Sequence, residues 1–398
     1  MTTQIILQDL FSSTASGYWG GEAGASEVDV KIVRNGDVAR DGSVRWGELP
    51  VRGLSEAEVK KASISGDDLL ITTSGECGRV ALVRSDPVGV CASNFIRRIR
   101  CDTTRTDPGF AYHLLRDRTI QGEFARFTRG TTLQNLSLQK AFSSISVSLP
   151  PLGEQRRIAS ILDAANELRA KRQQAIDRLE TLTQAIFYDM FREVGWDAWP
   201  MVSIADLAAE AKGSIRTGPF GSQLLHEEFV DGGVAVLGID NVVQNRFVWG
   251  ERRFVTEEKY EQLKRFRVFP GDVLVTIMGT CGRVAIVPPD IPKAINTKHL
   301  CCVTLDRSRC LPIWLQACLM FHPEVLRRLG ATHGAVMPGL NMGLVKGAEV
   351  PVPPLNVQER FVQLSDAAGQ RFESANEFLN ELETLFASLQ QRAFRGEL

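Results

Sequence analysis

The sequence predicts an α+β protein: a tandem duplication of a mixed α/β domain, each copy followed by a long helix, with the two helices pairing as an antiparallel coiled coil. Three observations predict it. The stretch GDDLLITTSGECGRVALV at 66–83 returns as GDVLVTIMGTCGRVAIV at 271–287. A double proline, Pro150-Pro151 and then Pro353-Pro354, closes each copy. Behind each pair runs a proline-free segment with an apolar seam at spacings of three and four.

The repeat extends well beyond the two glycine-rich stretches. Cys77 matches Cys281, 204 positions on, and the same offset lays ASNFIRRI (92–99) over NTKHLCCV (296–303). It then pairs Asp102 with Asp306, Pro108 with Pro312, Phe110 with Trp314 and Gly130 with Gly334. Past that point the offset is 203, and it carries Pro150-Pro151-Leu152 onto Pro353-Pro354-Leu355, Gln155 onto Gln358 and LETL (179–182) onto LETL (382–385). A fixed period of this kind marks a duplicated structural unit. Upstream of the glycine-rich stretches the copies align poorly, so they share a scaffold but differ in part of their surface. The boundaries fall at 1–149 for the first mixed domain, 150–195 for its linker and helix, 196–352 for the second domain, and 353–398 for the second linker and helix.

Within a copy, the Gly-Asp-x-Leu run and the RVALV or RVAIV after it have strand character, with a glycine-rich turn between them. Gly75 and Gly78, like Gly279 and Gly282, allow positive φ or a close backbone approach. Two readings stand: a hairpin without a ligand, or a backbone surface facing phosphate. No G-x-x-x-x-G-K-[ST] occurs, so the turn is no P-loop. The first helical seam takes Ile158, Ile161, Ala165, Leu168, Ala175, Leu179, Leu182, Ile186 and Met190. The second takes Phe361, Leu364, Ala368, Phe372, Ala375, Leu379, Leu382, Phe386, Leu389 and Ala393. Each helix is expected to run about 35 residues, roughly 50 Å. The alternative to pairing within the chain is a coiled coil that dimerises the protein. Pairing within the chain is favoured because one chain supplies both seams at high effective concentration. The pairing would place the two mixed domains at opposite ends of a rod. Phe187 and Phe191 read as an exposed apolar face that would make the free chain prone to association.

Composition narrows the class. The chain has 398 residues, a net charge of −1 and 44% hydrophobic residues, ordinary for two or three globular domains. No apolar run is long enough for a membrane span, and the N-terminus has no signal-peptide character. Eight cysteines without a C-x-x-C pair argue against a zinc site or a disulfide framework, and read as reduced thiols of a cytoplasmic protein. Catalytic signatures are missing. There is no Asn/Asp-Pro-Pro-Tyr/Phe, no H-E-x-x-H and no G-x-S-x-G, and Pro289-Asp290-Ile291-Pro292-Lys293 reads as a loop. His113, His226, His299, His322 and His333 show no ligand spacing. A duplicated domain without a catalytic motif favours binding over catalysis.

Four stretches carry a family resemblance. Pro150-Pro151-Leu152-Gly153-Glu154-Gln155-Arg156-Arg157-Ile158, Gly218-Pro219-Phe220-Gly221-Ser222-x-Leu224, the Gly66-Asp67-x-Leu69 and Gly271-Asp272-x-Leu274 cores, and Gly130-Thr131-Thr132-x-x-Asn135-Leu136 resemble the specificity (S) subunit of type I restriction-modification systems. The resemblance covers nearly the whole chain. Two departures stand out: Asn356-Val357-Gln358 lacks the usual Glu before Gln, and the first domain lacks the GPFGS run.

The resemblance implies two target recognition domains, each reading one half of a split site on double-stranded DNA. It implies that the paired helices dock methylation subunits, two of them, and that a restriction subunit can join. It places S-adenosylmethionine, ATP and Mg in those partners, with no cofactor, metal or catalytic residue in this chain. Symmetry agrees: a protein with an approximate twofold can grip a duplex backbone with both domains, while unlike domains read unlike bases. A rod of roughly 50 Å spans about 15 base pairs at 3.4 Å rise. The DNA-contact candidates are Arg79, Asn94, Arg97, Arg129, Thr131 and Gln134 in the first domain. In the second they are Arg216, Ser222, Gln223, Arg283, Lys298 and His299. Arg79 and Arg283, being repeated, have a competing role as braces for a carboxylate. Arg156, Arg157, Arg169 and Arg172 are expected to meet solvent or partner subunits. The alternative functions are a stand-alone DNA-modifying enzyme and a helical protein-binding scaffold.

Overall fold

The structure, a computed structural model, describes residues 3–192, 194–329 and 340–398, so Gly334 and His333 lie outside the described residues. The chain divides into two compact units, Met1–Gln174 with Asn376–Leu398, and Ala175–Ala375. Each unit thus holds one mixed domain and part of each long helix.

In the first unit the run Leu69–Thr72 is buried at every position, as a central strand covered on both faces must be. It pairs antiparallel with Val80–Leu82 and with Ile96–Cys101, and Phe11–Ser16 adds a fourth strand beyond the latter. A three-stranded sheet centres on Val28–Val33, antiparallel to Val51–Leu54 and parallel to Val90–Ala92. Thr3–Ile6 pairs with Ser146–Leu149, which brings the start of the domain beside its linker. The helix Pro108–Leu115 begins at a proline, and the Asp107 carboxylate accepts the Phe110 N–H at 3.0 Å as its cap. Its Phe110, Leu114 and Leu115 share one core with Ile158 and Leu162 of the first long helix and Ala393 of the second.

The second unit repeats these three sheets in the same strand order. Its four-stranded sheet runs Ile215–Thr217, Leu300–Val303, Val273–Thr276, Val284–Ile286, and its three-stranded sheet Phe254–Val255, Val234–Leu237, Ala294–Asn296. The parallel pair recurs, and Met201–Ser203 pairs with Glu349–Pro351. Trp314 takes the place of Phe110, and its buried indole N–H donates to the Pro351 carbonyl at 2.8 Å. The structure shifts one match by a residue. Gly66-Asp67 does not overlie Gly271-Asp272. Instead Asp67 and Gly271 occupy the same left-handed position (φ 65° and 80°), and Asp68 and Asp272 are the matching buried carboxylates.

The long helices run Leu152–Arg192 and Leu355–Arg395, 41 residues each, starting after the double prolines and longer than the seams suggest. In the first unit they pair antiparallel: Arg169 meets Glu383 at 3.4 Å and lies over Phe386, while Arg172 lies over Phe378. In the second unit Phe187 packs on Phe361, with ring centroids 5.8 Å apart. Three expectations are corrected. Leu168 and Leu364 are 55% and 42% exposed, so they leave the seam, and the Arg169 and Arg172 stems and guanidinium groups fill it in the first unit. Arg169 and Arg172 are therefore not free for solvent. Phe187 and Phe191 are not an exposed face; both are buried in the second core against Trp314.

One side chain locks each helix to its domain. The buried Gln155 amide donates to the Arg105 and Pro150 carbonyls at 2.8 and 2.9 Å, and its oxygen accepts the Asp107 N–H at 2.9 Å. The buried Gln358 does the same with the Arg309 and Pro353 carbonyls and the Leu311 N–H, at 3.0, 2.9 and 2.8 Å.

Candidate nucleic-acid interface

The glycine turns of the two copies have one geometry. The Thr72 hydroxyl donates to the Glu76 carbonyl at 2.6 Å and accepts the Arg79 N–H at 3.0 Å, while the Gly78 N–H donates to the Thr72 carbonyl at 2.8 Å. The Thr276 hydroxyl donates to Thr280 at 2.6 Å and accepts the Arg283 N–H at 2.9 Å, and Gly282 N–H donates to Thr276 at 2.8 Å. Both turns need two left-handed residues: Gly75 and Gly78 at φ 71° and 84°, Gly279 and Gly282 at 73° and 83°.

Other loops gather at the same end. In the first domain Thr73 N–H donates to the Phe95 carbonyl, Gly75 N–H to Gln134, Ser93 N–H to Val33, and the Asn35 amide to Ser74. Segments 34–37, 73–79, 93–96 and 128–136 therefore form one loop surface. It carries Asn94, Arg129, Thr131 and Gln134 exposed, and Arg79 partly buried. In the second domain Thr297 N–H donates to Leu237 and Ile277 N–H to His299, so 238–241, 277–283 and 297–299 build the matching surface. Lys298, His299 and Arg283 lie there, half-buried. Burial first, then the charges of Lys298 and Arg253, hold His299 below the ordinary histidine range, so its ring is neutral at neutral pH.

The repeated arginines differ. Arg79 pairs with Glu76 and donates to the Val38 carbonyl at 2.9 Å, so it is braced by a carboxylate. Thr280 stands where Glu76 does, and the Arg283 side chain makes no hydrogen bond or ion pair with a described residue. Arg97 sits in the strand Ile96–Cys101 and lines a groove of about 390 Å³ with Ser13, Thr14 and Gln139. Ser222 and Gln223 are exposed, and the Gln223 side-chain oxygen Oε1 accepts from Arg265 at 3.1 Å.

Arg216 leaves the candidate surface. It is 7% exposed, and it donates to Asp272 at 2.5 Å, Thr304 at 2.9 Å and the Arg267 carbonyl at 2.8 Å. Its guanidinium neutralises a buried carboxylate and lies beneath the surface rather than on it. In the first domain Asp68 is met instead by Arg100, at 2.8 Å from a different strand.

The first domain does hold a counterpart of the GPFGS run. Gly17-Tyr18-Trp19-Gly20 follows the strand Phe11–Ser16 as Gly218-Pro219-Phe220-Gly221 follows Ile215–Thr217. Its signal was present, at an offset of 201 rather than 204. Among the described residues no His/Cys/Asp/Glu cluster could hold a metal ion, and no helix is long and apolar enough to cross a membrane.

Two copies of one mixed domain, each locked by a glutamine to a long helix and each presenting one loop surface, define a duplicated recognition fold. The sequence profile described as "Type I restriction modification DNA specificity domain" matches residues 26–180. The chain is 24% identical over 296 residues to the type I restriction enzyme EcoBI specificity subunit of Escherichia coli, covering 68% of this chain and 62% of that one. It is 22% identical over 234 residues to the MjaVIII specificity subunit of Methanocaldococcus jannaschii, covering 55% and 51%. The matches thus span under two thirds of these curated relatives. Among solved structures, the fold is shared with a chain from work on complex assembly and conformational transition of the type I R-M system (TM-score 0.62, 18% identity, 100% and 98% of the two chains). It is shared also with the type I S subunit of M. genitalium (TM-score 0.57, 15% identity, 99% and 96%). The chain is thus similar to type I restriction-modification specificity subunits, in sequence over part of its length and in fold over nearly all of it.

Proposed function

We propose that this chain is the non-catalytic DNA-reading subunit of a type I restriction-modification complex. Each mixed domain reads one half of an asymmetric, two-part site through its loop surface, and the helices dock two methylation subunits, with a restriction subunit able to join. S-adenosylmethionine, ATP and Mg belong to those partners, and the complex works in the cytoplasm. One observation carries the reading: the two glycine turns agree to about 0.1 Å in their hydrogen bonds, while the exposed side chains around them differ. A fixed scaffold with changed tips is what two half-sites of unlike sequence require.

The test is selection from random double-stranded DNA by the chain co-purified with the methylation subunit encoded beside it. Enrichment of a motif with two separated parts supports the proposal. Adenine methylation by the chain alone would point to a stand-alone enzyme. An assembled complex that enriches nothing would point to a protein-binding scaffold.

A further inference from the structure

The opening stretches of the two domains diverge most in sequence, yet they share the turn Gly17–Gly20 and Gly218–Gly221. In both, the first glycine is buried against the neighbouring strand end: a Cβ on Gly17 would overlap the Ala92 carbonyl, and one on Gly218 the Asn296 carbonyl. In both, the last glycine has positive φ, 74° at Gly20 and 57° at Gly221. Both therefore exclude a side chain at one end and favour glycine at the other. Between them the second residue turns inward and the third turns out. Trp19 is 39% exposed and Phe220 51%, and neither joins a hydrophobic cluster.

Single exposed aromatics are ordinary. A pair at matching positions, on a backbone specified by two glycines in otherwise divergent segments, is not explained by packing. A cation lies over the first ring, and cationic residues neighbour the second turn. The Arg52 guanidinium lies 4.9 Å from the Trp19 ring centre. Lys298 follows Thr297, whose carbonyl accepts the Gly218 N–H at 3.3 Å, and Arg265 donates to Gln223, whose N–H donates to the Phe220 carbonyl. An exposed ring with cationic residues in or near its turn, at the end that carries the loop surface, fits a polyanion with apolar base edges.

We propose that Trp19 and Phe220 are DNA-contacting residues, one per half-site, each laying its ring against base edges in a groove while the adjacent cation meets phosphate. This rests on the DNA-reading function proposed above. Apolar contact of this kind contributes without releasing counterions, so it separates from phosphate contacts by its salt dependence.

The experiment uses the assembled complex and its selected site. Equilibrium binding is measured across a salt series for Trp19→Ala, Phe220→Ala, Trp19→Phe and the control Val88→Ala, a residue 94% exposed. The expected result is about tenfold weaker binding for each alanine variant with an unchanged salt slope, near-parental binding for Trp19→Phe, and no effect at Val88. Alanine variants within twofold of the parent overturn the inference, as do variants that no longer assemble with the methylation subunit, which would make the ring a protein contact. If the parent complex prefers no DNA sequence, the function itself falls. If the parent binds its site and the variants bind as well, only the assignment of the rings falls.

Discussion

Arg216 and Asp272 form a buried ion pair in the second domain, Nη2 to Oδ2 at 2.5 Å. The first domain keeps the carboxylate, as Asp68, but supplies the arginine from another strand, as Arg100. Thr304 stands at the position of Arg100 and donates to Asp272 at 2.6 Å. The two copies thus conserve a neutralised carboxylate under the sheet rather than any one arginine.

Arg216→Met leaves Asp272 buried without its cation, and breaking a buried pair costs about 3–5 kcal/mol. Thermal unfolding should show a large loss. Adding Thr304→Arg, which restores the arrangement of the first domain, should recover part of it. Equal stability of Arg216→Met and the parent would contradict this account of the pair.

Gln155→Ala removes a donor from the Arg105 and Pro150 carbonyls and the acceptor of the Asp107 N–H. Leaving buried polar groups unsatisfied costs about 1–3 kcal/mol each. Hydrogen exchange at Asp107 and in the first turn of the Leu152–Arg192 helix should accelerate. Gln358→Ala should do the same at Leu311, and each effect should stay within its own unit.

Asp163, on the first long helix, accepts from Arg84 at 2.7 and 3.0 Å and lies 2.8 Å from His113 Nε2. Burial opposes its charge, but the hydrogen bonds from His113 and Arg84 outweigh burial and bring its pKa down to about 2. Burial is also the leading reason that His113 titrates below the ordinary histidine value of 6.5. Both folded values are depressed, so the unfolded chain binds more protons and stability falls as the pH falls. The His113 contribution fades below about 6.5, and that of Asp163 between 3.8 and about 2. Urea unfolding across this range should show both losses, and Asp163→Asn should abolish the lower one.

Arg283 is unpaired among the described residues, whereas Arg79 is held by Glu76. Arg283→Ala should weaken DNA binding by the complex and reduce the salt slope by about one, as loss of a phosphate contact does. Arg79→Ala should change the slope less, since its charge is already neutralised. Equal slopes for both variants would show that Glu76 does not matter.

Much of this was legible in residues whose types a backbone demands. Gly75, Gly78, Gly279 and Gly282 must adopt left-handed φ, so they persist in both copies and reveal the repeat. The double prolines start the helices for a similar reason. Burial was harder to read. Arg216 looks like any DNA-facing arginine until Asp272 is placed beneath it. Leu168 fits a heptad by type, but the seam passes through Arg169 and Arg172, whose long stems cover apolar surface as well as leucine does. Trp19 was hidden by a three-residue change of offset inside the divergent segment.

The central claim is that two alike scaffolds read two unlike half-sites. Its most direct test is a methylation map at single-base resolution, from a host without adenine methylation that carries this chain and its adjacent methylation subunit. Modified adenines are expected in an asymmetric motif of two parts with a fixed gap. A palindromic motif, or no motif from an assembled complex, would contradict it.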